Sequence, residues 1–209
     1  MIAILDYGAG NLRSVEQGFA RVGIPAAVAT TPEEMRQASG LVLPGVGAFA
    51  SAMEALRGGT LLPELLREVE AGKPLLGICL GMQALFDSSE EGAGVAGLGL
   101  IPGKVKLLPR ETAEGTQKVP HMGWNTIQTQ PSPLFARLPD EPYVYFVHSY
   151  ACFPESPEDV LATAHYGVDF AAAVRRDNVI GMQFHPEKSG SVGRVILENF
   201  AAMVEGGVR

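Results

Sequence analysis

The fold is decided by the stretch Leu75-Leu76-Gly77-Ile78-Cys79-Leu80-Gly81-Met82-Gln83. Leu75–Ile78 is a short apolar run that predicts a buried strand, and residues 80–86 predict a helix directly after it. Gly77-Ile78-Cys79-Leu80-Gly81 between them is the cysteine form of the Gly-x-nucleophile-x-Gly elbow. The segment therefore predicts a sharp strand-to-helix turn that carries a reactive thiol.

The spacing of this elbow has a physical reason. The turn strains the backbone of Cys79, and side chains two positions away would crowd it, so glycines stand there. Sulfur would sit at the carboxyl edge of the sheet and at a helix N-terminus, which favours thiolate. The amide of Leu80 would then be available to an oxyanion. The alternative is a structural cysteine beside packing glycines, which is the interpretation we give to Cys152, in an apolar strand without an elbow.

The first half of the chain around this segment is predicted to alternate strands and helices. The predicted strands are Ile2–Leu5, Ala26–Ala29, residues 41–43 and Leu75–Ile78. The predicted helices begin after Asn11, Thr31, Ala48 and Thr60, with Asn11 and Thr31 as caps. Such alternation predicts a parallel sheet covered on both faces.

The second half is different, because strand-like segments follow one another closely. They are residues 105–108, 126–128, 143–148, 160–164, 171–175 and 180–184, before a last helix that starts near Ser189, a predicted cap. The prediction is a single α/β domain over residues 1–209. Its mostly parallel, open, twisted sheet has helices on both faces and extra antiparallel strands in the C-terminal half.

Composition excludes several classes of protein. The chain has 209 residues, 46% hydrophobic, with a formal net charge of −7, which argues against a nucleic-acid-binding surface. No apolar run reaches the roughly 18 residues of a membrane span, so no membrane partner is expected. The N-terminus lacks the features of a signal peptide, and two cysteines are too few for a disulfide framework. We therefore expect a cytoplasmic protein with free thiols.

A partner for the thiol is offered by His185-Pro186-Glu187, which follows an apolar strand. A carboxylate two residues after a histidine can fix the tautomer and orientation of the ring, as in a catalytic triad. The alternative is a surface turn. We expect structural roles for His121 and His148 and a turn position for His165. Zinc bound by Cys79, His148, His185 and Glu187 is disfavoured, because the chain has neither CxxC nor HExxH spacing.

A second glycine-containing loop is Pro44-Gly45-Val46-Gly47, after the strand at residues 41–43. Its glycines allow close approach of the backbone to a ligand, and in an acyl-transfer site the amide of Val46 would be a second oxyanion donor. A plain strand-to-helix turn is the alternative. Gly8-Ala9-Gly10 does not predict a dinucleotide site, because the third glycine of GxGxxG would fall at Arg13.

The elbow extended to Gln83, together with His185-Pro186-Glu187 late in the chain, resembles the class I (triad) glutamine amidotransferases. The resemblance covers essentially the whole chain and implies a flavodoxin-like fold and a glutaminase without cofactor or metal. It implies that Cys79 attacks the glutamine amide, that His185 moves the proton with Glu187 as its orienter, and that the Val46 and Leu80 amides bind the oxyanion. The residues implied to hold the substrate are Gly47, Gln83, Glu91, Ser149 and Tyr150. Physical reasoning alone does not separate Glu90 from Glu91; the resemblance favours Glu91.

Residues 120–125 (Pro-His-Met-Gly-Trp-Asn) and 146–150 (Phe-Val-His-Ser-Tyr) make the resemblance more specific. They are similar to the glutaminase subunits of imidazole glycerol phosphate synthases of histidine biosynthesis. Ammonia would then pass to a (β/α)₈ barrel cyclase subunit in a heterodimer. The positions implied at that interface or its gate are Asn11, Met122, Trp124, Tyr145 and Lys188. From the residues alone, Trp124 is equally compatible with core packing.

Other functions remain open from the sequence. One is a glutaminase subunit of another synthase, in a pyridoxal phosphate, anthranilate or purine pathway. Others are a non-catalytic cysteine sensor on the same fold and a cysteine peptidase, which shares the chemistry of amide hydrolysis.

Overall fold

A computed structural model describes residues 1–92 and 94–206 of the chain. The predicted domain spans 1–209, so residue 93 and residues 207–209 of that prediction lie outside the described residues.

The first half of the chain alternates strands and helices as expected. Its elements are β1 (Ile2–Leu5), α1 (Leu12–Arg21), β2 (Ala26–Ala29), α2 (Pro32–Gln37), β3 (Gly40–Leu43), α3 (Phe49–Gly58), α4 (Leu61–Glu70), β4 (Leu75–Ile78) and α5 (Leu80–Ala84). The sequence signals for two helix starts are confirmed. Asn11 accepts a hydrogen bond from the Ser14 amide, and Thr31 forms a capping box with Glu34.

The second half consists mainly of strands and ends in a long helix. Its elements are β5 (Phe86–Ser89), β6 (Ile101–Leu107), β7 (Glu111–Thr112), β8 (Gly115–Thr116), β9 (His121–Thr126), β10 (Gln128–Thr129), β11 (Tyr143–His148), β12 (Tyr150–Pro154), β13 (Val160–His165), β14 (Asp169–Arg176), β15 (Val179–Met182) and α6 (Gly190–Gly206). Three short 3₁₀ turns, Pro133–Phe135, Pro157–Asp159 and Pro186–Lys188, also lie among the described residues.

The main sheet has a parallel core in the order β2-β1-β3-β4-β15. Beyond β15 the sheet continues through the antiparallel strands β14, β12 and β6, with β5 parallel to β6 at the far edge. The predicted architecture, mostly parallel with antiparallel additions in the C-terminal half, is confirmed. In the parallel core β3, β4 and β15 are neighbours, so their carboxyl ends meet at one edge of the sheet, which is where open α/β sheets bind ligands.

Helices cover both faces of the parallel core. Along β1, Ile2 and Ile4 belong to one buried cluster with α1 and α6, whereas Ala3 and Leu5 belong to another with α2, α3 and α4. This alternation follows from the two-residue period of a strand. Because both faces are buried, the strands are continuous apolar runs, and this explains why Ile2–Leu5 and Leu75–Ile78 carry no polar residue.

Two predicted elements near the elbow and the sheet edge are corrected. The helix predicted over residues 80–86 ends at Ala84, and Phe86 begins β5. Pairing with β6 and complete burial of Phe86 outweigh the local helical pattern. The strand predicted over residues 126–128 is interrupted, because β9 ends at Thr126 and β10 pairs with β13 instead.

Other boundaries also differ from the prediction. β15 ends at Met182 rather than at residue 184, and His165 is the last residue of β13 rather than a turn residue. Ser189 does not cap α6 through its side chain. Its hydroxyl donates to the His185 carbonyl at 2.6 Å and accepts from the Tyr145 amide at 3.0 Å.

The strands β9 and β11 form a separate two-stranded antiparallel ribbon, here called the β9–β11 ribbon. On its inner face His121, Phe146 and His148 are buried. On its outer face Met122, Trp124 and Tyr143 are more than half exposed. The ribbon thus separates a large apolar surface from the interior by one layer of backbone.

Candidate active site

Cys79 occupies the elbow that the sequence predicted. Its backbone has φ 55° and ψ −110°, a conformation that non-glycine residues rarely adopt. A Cβ at Gly77 would lie 2.8 Å from the carbonyl of Gly81, and a Cβ at Gly81 would lie 1.8 Å from the carbonyl oxygen of Leu43. Only glycines at these two positions allow the turn, which leaves Cys79 6% exposed at the end of β4.

His185 reaches the same place from β15, the neighbour of β4. Its Nδ1 lies 2.7 Å from Oε1 of Glu187, and both side chains are buried. Because the carboxylate accepts, Nδ1 carries the hydrogen. Nε2 is then directed to the cavity that Cys79 also lines, and it has no hydrogen-bond partner among the described residues.

The electrostatics of His185 favour its charged form. Burial lowers its pKa, but the nearby Cys79, the hydrogen bond to Glu187 and the negative charges of both groups outweigh burial and raise the pKa to about 9. An imidazolium next to a thiolate is the arrangement that a cysteine nucleophile requires. This imidazolium can supply the proton that the leaving nitrogen of an amide requires.

Glu187 itself is seated against α1. A Cβ at Gly18 would lie 2.9 Å from Cβ and 3.4 Å from Cα of Glu187, so the helix can approach this carboxylate only through a glycine. Gly18 was not singled out in the sequence. The available signal was a glycine in the middle of a helical pattern, which costs about 1 kcal/mol and so indicates a packing reason.

A cavity of about 370 Å³ opens over the thiol. Its volume lies at the small end of ligand sites and suits a small metabolite better than a peptide. The residues predicted to hold substrate line it, namely Gly47, Gln83, Glu91, Ser149 and Tyr150, and so do Val46, Leu80 and His185. Lys188 and Pro120 stand on its wall.

The structure separates the two acidic candidates. Glu91 lines the cavity, and its Oε2 accepts a hydrogen bond from the amide of Phe49 at the start of α3. Glu90 is outside the cavity, and its carboxylate accepts from the amide of Leu107 at 2.9 Å. Of the two acids, only Glu91 therefore lines the cavity.

The loop over residues 44–47, here called the oxyanion loop, borders the cavity on the side of β3. Tyr7 was not recognised in the sequence, yet its hydroxyl donates to the carbonyl of Pro44 at 2.7 Å. Burial and the nearby Cys79 raise the pKa of Tyr7, so it stays a neutral donor. The segment after β1, which we did not assign to a dinucleotide, thus supports this loop.

Behind the cavity lies a buried polar network that the sequence did not reveal. Gln83 Nε2 donates to the carbonyl of Tyr150 at 2.9 Å and to Oε1 of Gln183 at 3.1 Å. His148 Nδ1 lies 2.9 Å from the same Tyr150 carbonyl, and its Nε2 lies 3.0 Å from Nδ1 of His121. Because a carbonyl only accepts, this chain fixes both histidine tautomers.

The two buried histidines are neutral. Burial lowers the pKa of His121 to about 4. Burial, together with the neighbouring His121 and His185, lowers that of His148 to about 3 against the opposing hydrogen bond to Tyr150. His165 differs: it is exposed, and the hydrogen bonds that it donates to Asp169 and Glu114 raise its pKa. Cys152 is fully buried and free, and burial raises the pKa of its thiol.

Four of the five positions predicted at a partner interface, Met122, Trp124, Tyr145 and Lys188, lie on or beside the β9–β11 ribbon. Met122 and Trp124 are 63% and 54% exposed, which excludes the core role considered for Trp124. Trp124 pairs across the ribbon with Tyr145, whose ring lies 6.0 Å from Nζ of Lys188. Asn11 is exposed and lines a small crevice that also touches His185 and the oxyanion loop.

Two further findings concern the described residues only. Within residues 1–92 and 94–206, no group of three His, Cys, Asp or Glu side chains is arranged to hold a metal ion. In the same ranges no helix is long and apolar enough to cross a membrane.

The fold and this geometry are those expected of a cysteine nucleophile that acts on an amide. A thiol on an elbow, a histidine fixed by a carboxylate and a glycine loop come from three neighbouring strand ends, β4, β15 and β3. Comparison with known proteins agrees. The family model described as "Glutamine amidotransferase class-I" matches residues 3–204. The chain belongs to the class I glutamine amidotransferase family.

Among similar curated proteins are two called "Imidazole glycerol phosphate synthase subunit HisH". One, from Syntrophotalea carbinolica, is 53% identical over 97% of this chain and 100% of its own length. The other, from Desulfitobacterium hafniense, is 50% identical over 98% and 95%. A solved structure described as "Crystal structure of glutamine amidotransferase" superposes with a TM-score of 0.75 at 20% identity, covering 98% of both chains. PurLQS from Thermotoga maritima gives 0.71 at 16% identity, covering 97% and 98%. At such identities the two structures show the fold alone.

Proposed function

We propose that this chain is the glutaminase subunit of an imidazole glycerol phosphate synthase, in which it hydrolyses glutamine and passes ammonia to a cyclase subunit in histidine biosynthesis. The single observation that carries the chemistry is the meeting of Cys79, His185 and the oxyanion loop at one cavity of about 370 Å³. The pathway is supported by full-length relatives near 50% identity that carry this subunit name.

The reaction follows from the positions of the groups. Sγ of Cys79 attacks the side-chain carbonyl carbon of glutamine, and the amides of Val46 and Leu80 stabilise the oxyanion. Collapse breaks the C–N bond, and the proton on Nε2 of His185 goes to the departing nitrogen as ammonia leaves. Nε2 of His185 then takes a proton from water as the water oxygen attacks the carbonyl carbon of the glutamyl thioester. Collapse breaks the C–S bond, releases glutamate and returns Cys79 as the thiolate beside the protonated ring. Glu187 keeps the ring in one tautomer through both steps.

The amino-acid end of glutamine is held at the far side of the cavity. An α-ammonium group requires a carboxylate, and Glu91 supplies one whose position is fixed by the Phe49 amide. The backbone at Gly47, Ser149 and Tyr150 would receive the α-carboxylate. Gln83, with both N–H groups already engaged, presents its oxygen as an acceptor.

The partner is proposed to dock on the outer face of the β9–β11 ribbon. Met122, Trp124 and Tyr143 expose large apolar surfaces side by side, and exposed aromatic and methionine side chains of this kind are enriched at interfaces. Tyr145 and Lys188 would form a gate between that surface and the thiol, since Lys188 also lines the cavity. Asn11 would contact the same partner from the α1 side.

We take the partner to be a (β/α)₈ barrel cyclase, as the resemblance to imidazole glycerol phosphate synthases implies. Direct docking would let ammonia reach its acceptor without meeting bulk water. Docking of the partner and binding of its ribotide would favour the conformer with a completed oxyanion hole. The free thiols Cys79 and Cys152 are consistent with a reducing compartment, so we assign the heterodimer to the cytoplasm.

The test is glutamate release from glutamine by the purified chain, alone and with the cyclase subunit and its phosphoribosyl-formimino aminoimidazole carboxamide ribotide. Release should rise strongly only with both present, vanish in Cys79→Ala and persist in the matched control Cys152→Ala. Release independent of the cyclase would retain the glutaminase and reject the pathway. No release from a confirmed complex would reject the chemistry and favour a non-catalytic cysteine protein.

A further inference from the structure

The least accessible polar side chain near the thiol is Gln183, two residues before His185 and 0% exposed. Its backbone amide donates to the carbonyl of Ala172 at 2.9 Å, which anchors it in the sheet beyond β15. Its side-chain Nε2 lies 3.8 Å from Sγ of Cys79, within hydrogen-bonding range for sulfur. Its Oε1 accepts from Gln83 at 3.1 Å and faces the thiol of Cys152 at 3.9 Å.

The orientation of this amide is determined by its neighbours. Gln83 must direct its NH₂ group to the Tyr150 carbonyl, which can only accept. The second N–H of Gln83 then meets Oε1 of Gln183, so the Gln183 amide is fixed with its NH₂ group towards Cys79. A flipped Gln183 would bring two NH₂ groups together and leave an oxygen against the sulfur.

We propose that Gln183 is a positioning residue for the nucleophile, which donates a buried hydrogen bond to Sγ of Cys79 and stabilises it as the thiolate. The proposal rests on the role of Cys79 in the proposed function.

The contrast between the two polar neighbours of sulfur supports this role. The carbonyl of Val147, 3.9 Å from Sγ, accepts from the protonated thiol and so favours that form. The Gln183 N–H favours the charged form, and in a buried site a donor to an anion is worth more than in water. The strained elbow fixes the backbone conformation of Cys79, and the side-chain amide of Gln183 fixes the position of its Sγ.

The same amide connects the nucleophile to the substrate pocket. Because Gln183 receives one N–H of Gln83, it leaves the Gln83 oxygen free to accept from the ligand. Loss of Gln183 would therefore disturb both the sulfur and the acceptor that faces the substrate.

The test measures the thiol directly and does not depend on turnover. The rate of Cys79 alkylation by iodoacetamide is followed against pH in the full chain by peptide-resolved mass spectrometry. Ionisable groups around the sulfur contribute to the profile in every variant. They are Tyr7 from the β1–α1 turn, Cys152 on β12, His148 on β11, Glu91 at the mouth, and His185, Glu187 and Lys188 after β15. The comparison is therefore made between variants that leave these groups in place.

Gln183→Met, nearly isosteric but without a donor, should raise the midpoint of the profile by about 1 pH unit, and thus slow alkylation about tenfold below the midpoint. Gln183→Asn keeps an amide but withdraws it from sulfur, and it should shift the midpoint in the same direction. This variant tests the proposal if Gln183→Met does not fold. Leu66→Ala, on the exposed face of α4 and outside the cavity, should leave the midpoint in place. Cys152 itself, which stays unlabelled only in a folded chain, reports on the fold of each Gln183 variant.

A midpoint unchanged in folded Gln183→Met and Gln183→Asn would overturn the proposal, even if glutamate release fell. Such a fall without a shift would assign Gln183 to packing of the pocket. Failure of the glutaminase assay in the wild-type chain would instead count against the proposed function, and the two failures are distinguished by their separate readouts.

Discussion

Substitution of Gly18 by alanine tests how the acid of the triad is held. Gly18 lies on α1, far in sequence from the reacting groups, but a Cβ there would lie 2.9 Å from Cβ of Glu187 and 3.2 Å from Cδ1 of Leu197. Carbon atoms in contact normally keep 3.5–4.0 Å apart. Glu187 or the helix must therefore move by several tenths of an ångström.

Two opposing effects set the magnitude. Alanine in place of glycine stabilises a helix interior by about 1 kcal/mol, whereas overpacking costs about 1–3 kcal/mol. The net change in the free energy of unfolding is thus expected within about 2 kcal/mol. Catalysis is more sensitive, because the 2.7 Å hydrogen bond from His185 to Glu187 moves with the carboxylate, and a misplacement near 1 Å can cost about 100-fold. We expect a loss of about 10- to 100-fold in kcat.

The assay is glutamate release with saturating cyclase and ribotide, accompanied by urea unfolding of the same preparation. Gly58→Ala is the matched control, because a Cβ at this last position of α3 meets nothing within 4 Å. The control should keep full activity. Gly18→Ala with full activity, or with activity lost only in proportion to unfolding, would refute the idea that α1 positions Glu187.

Three further predictions concern the support of the site, its pH response and its partner surface. Tyr7→Phe removes the 2.7 Å hydrogen bond to the oxyanion loop. It should lower kcat about tenfold and the free energy of unfolding by only about 1 kcal/mol, as measured by the same two assays. A loss of stability with kcat unchanged would contradict this role for Tyr7. Because the pKa values of His121 and His148 are depressed in the folded chain, only the unfolded chain takes up protons on them below about pH 6.5, so stability should fall by about 2 kcal/mol from pH 6 to pH 5. Urea titrations should show about half of that fall in His121→Gln, and an equal fall in both proteins would assign it to other groups. Trp124→Ala should weaken cyclase binding at least about tenfold by calorimetry, whereas Leu66→Ala, an exposed leucine on α4, should not; equal effects would argue against the ribbon as the docking surface.

Much of the fold was predictable because local and tertiary signals agree in the first half of the chain. Asn11 and Thr31 cap the helices they were expected to cap, and each short apolar run became a strand, buried on both faces in β1, β3 and β4 and partly buried in the edge strand β2. The predictions of secondary structure fail where pairing between segments distant in the sequence determines the element. Phe86 follows a helix without a stop signal, and only its pairing with β6 makes it a strand residue.

The candidate site divides in the same way. Cys79, His185 and Glu187 were accessible from the sequence because their neighbours in the chain carry the signal, glycines at two-residue spacing and a carboxylate two residues on. Gln183, Tyr7 and Gly18 act through contacts with residues 104, 37 and 169 positions away. No local pattern distinguishes Gln183 or Tyr7 from ordinary core residues, and a glycine within a helical pattern indicates close packing at Gly18 but not its partner. Likewise, the path of the backbone after β5 determines which of Glu90 and Glu91 lines the cavity, and no local pattern indicates that path.

If Cys79 is the group that attacks glutamine, a glutamine analogue carrying an electrophile should label it. The complex is treated with such an analogue, and the modified residue is identified by mass spectrometry. We expect one label per chain on Cys79, protection by glutamine, and loss of both label and glutamate release in Cys79→Ala but not in Cys152→Ala. A label on any other residue, or glutamate release that persists in Cys79→Ala, would contradict it.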